Sequence, residues 1–197
     1  MKFEKLTIKE KAYIATFGAL WGGSEITLGM LLHNFRIPFT GFILTFIGAI
    51  IALTCLRLTG KKRTIIYVAL IAATLKMLSF TTIKLGPIMG IVGSALLAQS
   101  VIVILNINFV SYALAAGAMC SWPFLQFLLN QVIIYTHKIF NIYQEFLINI
   151  GLKDLKVYVL FVFILIMHFV LGTMSGMIAW KLSSCLIQRG KINEKPA

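Results

Sequence analysis

The residue with the most chemistry to account for is Glu25, an acid set inside an otherwise apolar run from Ala12 to Leu32. Gly18, Gly22, Glu25 and Gly29 recur at i, i+4, i+7 and i+11, so they share one face of a helix. Apart from the acid that face is nearly smooth, which lets another backbone approach closely. At about 1.5 Å per residue the run reaches about 30 Å, the thickness of bilayer hydrocarbon. A charge at that depth costs roughly 2.5 to 3.5 kcal/mol on insertion scales, so Glu25 must face protein or a wet cavity. Its candidate partners are His168, Lys76 or a group on a ligand.

The other polar side chains that could bind a solute fall toward one end of the apolar runs: His33, Asn34, Arg36, Lys76, Lys84, Asn130, Gln131, Tyr135 and His137. A single lysine near a helix end can simply snorkel to lipid headgroups. Together, Arg36, Lys76 and Lys84 are expected to form a cationic mouth that attracts an anionic or polar solute. His168 and Trp122 lie mid-run in later segments, and Pro123 should kink or loosen the helix that contains it. The expected binding set is therefore Glu25, His33, Arg36, Lys76, Lys84, Trp122, Asn130, Tyr135 and His168. An enzyme is not expected, because there are no paired carboxylates, no Ser-His-Asp arrangement, no HExxH and no phosphate loop. Cys55, Cys120 and Cys185 are too dispersed for a metal or disulfide framework and read as small packing residues, so no cofactor or metal is expected.

The elements that carry these residues read as an all-α integral membrane protein. Apolar residues make up 59% of the chain, against 12% charged, about half the charge of a soluble domain. Mean hydropathy is +0.93. One membrane domain accounts for residues 1–197. Six spans are expected, over about 12–32, 38–58, 64–80, 86–105, 109–135 and 157–182, with an amphipathic helix over 137–156 at the outer interface, either passive or a lid. Twelve of the 18 basic residues cluster at the N-terminus, between spans two and three, and at the C-terminal end. The positive-inside rule then places both termini in the cytoplasm, in agreement with an even number of spans. The net charge of +12 therefore describes orientation and not a nucleic-acid partner.

The six-span pattern over nearly the whole chain resembles the substrate-binding (S) component of energy-coupling factor (ECF) transporters, the vitamin importers. Two local features carry the likeness. Ala15-Thr16-Phe17-Gly18-Ala19 resembles the AxxxA patch with which such subunits dock on the transmembrane coupling subunit, and Gly86-Pro87 with Gly90 and Gly93 resembles the opening of the fourth helix in several members. The resemblance implies a multi-pass protein of a bacterial cell membrane that captures a vitamin-like small molecule on its outer side. It also implies partners: the coupling subunit and, through it, two ATPases. Ala15, Gly18, Ala19 and Gly22 are the expected docking residues. Two other classes fit the same residues: an accessory membrane protein packing through the glycine face of the first helix, and a small proton-coupled carrier using Glu25 and His168.

Overall fold

The computed structural model describes residues 6–79, 85–136 and 138–193. Among these, seven α-helices and no strand are found: α1 (Ile8–Asn34), α2 (Thr40–Thr59), α3 (Thr64–Met77), α4 (Leu85–Leu105), α5 (Phe109–Tyr135), α6 (Lys138–Asn149) and α7 (Val157–Asn193). Four of them, α2, α4, α5 and α7, are long and apolar enough to cross a membrane. The remaining two expected spans differ. α3 is apolar but has only 14 residues. α1 has 27 residues, diluted by Gly, Ser, Thr and Glu25. The amphipathic segment expected over 137–156 is a helix only as far as Asn149, and Gly151 follows at φ 90°, a conformation that glycine adopts without strain.

Helix ends are set by local chemistry. Thr7 and Glu10 form a capping box at α1: the Glu10 N–H donates to Thr7 Oγ1 at 3.2 Å and the Thr7 N–H donates to Glu10 Oε2 at 2.7 Å. Asn108 and Ser111 do the same for α5. Gly60, at φ 65°, stops α2 with its N–H on the Leu56 carbonyl, and the hydroxyls of Thr59 and Thr64 share a hydrogen bond across the turn to α3. The Lys62 ammonium donates to Asn106 Oδ1 and the Gln99 amide donates to the Lys62 carbonyl, tying this turn to the one between α4 and α5.

α2 is the centre of the bundle and touches α1, α3, α4, α5 and α7. Glycine allows the closest crossings. The α1 glycine face lies on α3, where a Cβ at Gly18 would stand 2.7 Å from Ile71 Cβ and one at Gly22 would stand 2.9 Å from Leu75 Cβ. Trp21, fully buried, lies on Gly48 of α2. α5 meets α7 across Gly172 and Gly176, and a Cβ at Gly176 would stand 2.2 Å from the Tyr112 carbonyl oxygen. At the end of the bundle away from the α1–α2 turn, Arg57 closes α2 onto α7. Its guanidinium donates to the Trp180 carbonyl at 2.7 Å and to Ser184 Oγ at 2.6 Å, and lies 3.5 Å from the centroid of the Trp180 ring. Cys55 and Cys120 are buried packing residues, whereas Cys185 is exposed.

These crossings predict an asymmetry between glycines. Gly176→Ala must displace backbone and should cost about 1 to 3 kcal/mol, read as a lower melting temperature in detergent. Gly23→Ala, where an added Cβ would meet nothing within 4 Å beyond its own turn of helix, should leave the melting temperature unchanged or raise it. Equal melting temperatures for the two variants would show that the α5–α7 crossing is not limited by space.

Candidate ligand-binding site

The end of α1, the starts of α2, α4 and α7, and the ends of α3 and α5 meet at one pole of the bundle, where two cavities adjoin. The first, of about 270 Å³, is the more polar of the two: Glu25, His33, Thr45, Lys76, Gln126 and Asn130 line it together with the glycines of the α4 start and the apolar Leu44, Ile91 and Phe127. The second, of about 590 Å³, is aromatic: Phe39, Phe42, Phe124, Phe127, Tyr143, Phe161 and His168 line it. His33, Gly41, Pro123 and Phe127 border both. A Cβ at Gly41 would stand 3.2 Å from Pro123 Cβ, so the partition between the cavities is a glycine facing a proline.

The floor of the polar cavity is an ion pair. Lys76 Nζ stands 3.8 Å from Glu25 Oε2, and both residues are 6% exposed. The same ammonium donates to the backbone carbonyl of Glu25; a helix carbonyl has a second lone pair for such a bond. Gly29, one turn further along α1, leaves room for the lysine: a Cβ there would stand 3.2 Å from Nζ. Lys76 can reach α1 because Gly18 and Gly22 have already brought α3 against it. Across the cavity, Gln126 donates from Nε2 to the Gly86 carbonyl at 2.8 Å and holds the α4 start to α5.

In the aromatic cavity His168 lies edge-on to Phe42, with ring centroids 4.9 Å apart, and stacks on Phe124 at 5.5 Å. Its Nδ1 is 2.9 Å from the Ile164 carbonyl. A carbonyl only accepts, so Nδ1 carries a proton and Nε2 is the nitrogen left for a ligand. Pro123 has no N–H and therefore gives the Met119 carbonyl no helical partner, although α5 runs through it to Tyr135. α6 forms one wall through Tyr143, Phe146 and Leu147. It is held to the start of α7 by Gln144, which accepts from the Val157 N–H at 2.9 Å and donates to the Leu155 carbonyl at 3.1 Å.

The expected binding residues separate into groups. Glu25, His33, Lys76 and Asn130 line the polar cavity and His168 the aromatic one. Of the expected cationic mouth, Lys76 is buried against Glu25 and Arg36 is exposed in the α1–α2 turn at φ 52°, while Lys84 lies outside the described residues. Trp122 lines neither cavity. Its indole covers Gly93 and donates to the Met89 carbonyl at 3.0 Å, which makes it an α4–α5 packing residue. Tyr135 lines a separate groove under α6. The docking set divides as well. Ala15 and Ala19 are exposed, but Gly18 and Gly22 face inward, where Ile71 and Leu75 fill the space in front of them. Sequence reasoning did not select Gln126 or the phenylalanines of the second cavity. A polar Gln126 three residues after Pro123 in an apolar helix is the available signal; the phenylalanines come from α2, α5, α6, α7 and the turn before α2, with no shared period.

The buried pair predicts a specific pattern of stability. Glu25→Leu or Lys76→Met alone leaves one buried charge without its partner and should destabilise the protein by about 3 to 5 kcal/mol. The double variant should recover most of that loss. A thermal-melt double-mutant cycle in detergent measures the coupling, and strictly additive losses would mean that the two charges do not interact.

No protein-family model, curated protein or solved structure matches this chain.

Proposed function

We propose that this chain is the solute-binding subunit of a membrane importer of the ECF type, taking up a vitamin-like or other small micronutrient. The observation that carries the reading is the pair of adjoining cavities at one pole, polar on one side and aromatic on the other, of a size that suits a small molecule. In this reading α1 to α5 and α7 are six spans, and α6 lies at the outer surface. Lys9, Lys11, Arg57, Lys61, Lys62, Arg63, Lys181 and Arg189 all fall toward the opposite pole, which the positive-inside rule assigns to the cytoplasm. The cavities then open outward, as capture of an external solute requires. Ala15 and Ala19, exposed toward the basic pole on the outer face of α1, are available to a coupling subunit whose ATPases supply the energy. The accessory-protein alternative loses its anchor, since Gly18, Gly22 and Gly29 are covered by α3 and α2 of the same chain. The proton-coupled carrier keeps one supporting observation, because Glu25 and His168 line neighbouring cavities.

Co-purification of a membrane coupling subunit with two ATPases, and uptake that needs ATP but survives an uncoupler, are the outcomes expected for the importer. Uptake abolished by the uncoupler alone would instead identify the carrier. Docking is tested separately: Ala15→Leu combined with Ala19→Leu should abolish transport while solute binding by the isolated chain stays within about twofold of wild type, since neither residue touches a cavity. Transport at the wild-type rate would place the docking face elsewhere.

A further inference from the structure

Resting on the reading of these cavities as the solute site, we infer that the solute is a zwitterion carrying an aromatic body, of the aromatic amino-acid class. Among the described residues, the polar cavity holds one carboxylate and one ammonium, Glu25 and Lys76, each 6% exposed. A solute of net charge would compete for one member of the pair and leave the other without compensation in a site of low dielectric. A zwitterion brings both signs: its carboxylate meets Lys76 and its ammonium meets Glu25.

The geometry leaves room for that exchange. The 3.8 Å between Nζ and Oε2 is longer than a direct charge-assisted hydrogen bond of about 2.7 to 2.9 Å. The ammonium spends one of its three protons on the Glu25 backbone carbonyl and keeps the others for an incoming acceptor. Beyond the Gly41–Pro123 partition, the ring faces and edges of Phe42, Phe124 and His168 favour a flat ring over an alkyl chain, and among the described lining residues the titratable groups are Tyr143, His33 and His168. A ligand with its charged head beside the ion pair and its ring beside His168 would occupy both cavities.

The test uses the full chain in detergent and three probes that share one ring: L-tryptophan, tryptamine, which lacks the carboxylate, and indole-3-propionate, which lacks the ammonium. Calorimetry and thermal shift should give tryptophan at least a tenfold tighter Kd than either analogue. In Lys76→Gln, tryptophan should lose its advantage over tryptamine, and in Phe124→Ala all three probes should weaken together. The comparison on the wild-type chain stands even if a variant does not fold. An analogue that binds as tightly as tryptophan overturns the inference, and so does the absence of binding by all three. In either case, co-purification with the coupling subunit still decides the importer reading independently.

Discussion

A lysine and a glutamate can both be kept 6% exposed among apolar helices only if each has the other within reach, and that requirement governs how α1 and α3 are built. The two backbones must approach closely along several turns before Lys76 arrives. Gly18 and Gly22 supply that approach, and Gly29 supplies the space for the ammonium itself. Once α3 is drawn onto α1, Ala72 and Val68 are buried beside it, and the turn from α2 is held short by Gly60 and the Thr59–Thr64 bond. The polar cavity lies where the ends of α1 and α3 meet the starts of α2 and α4 and the second half of α5. The site is thus a by-product of the helix pairing that keeps its two charges buried.

The opposite pole uses a different device for the same difficulty. Among the described residues Arg57 has no carboxylate partner, and its charge is met by a backbone carbonyl, serine hydroxyls and the face of Trp180. Lying in the last turn of α2, it also faces the negative end of that helix. One pole is held by an ion pair with room beside it, the other by a cation whose Nη1 is bonded to α7 and whose plane lies on the Trp180 ring. That contrast fits a molecule that binds at one end and is braced at the other.

Much of this was legible in the sequence, and the divisions have physical reasons. Periodicity places Gly18, Gly22, Glu25 and Gly29 on one face, and that face is buried; Lys76 is among the partners the sequence offers Glu25. Periodicity does not say which neighbour covers a face. The smooth side of α1 suits a partner subunit and the chain's own α3 equally well, and only the packing around α2 decides between them. For the same reason Arg36, Lys76 and Lys84 share a pole in any up-and-down reading, although the left-handed turn at Arg36 leaves its side chain exposed. Trp122 beside a proline in mid-helix suggests a site, but the glycine opposite it on α4 makes it a packing residue. The aromatic cavity draws on segments too far apart for any local pattern to reveal it.

The brevity of α3 has a consequence for the surroundings of the site. Its 14 residues extend about 21 Å, well short of the roughly 30 Å of bilayer hydrocarbon that the longer helices match. Placed in a bilayer, such a helix is accommodated by local thinning, which draws headgroups and water toward its end. Lys76 sits in the last turn of that end. The polar cavity would then lie close to the aqueous boundary although its walls belong to membrane-depth helices, and the lipid would help to set how far a solute must leave water to reach it.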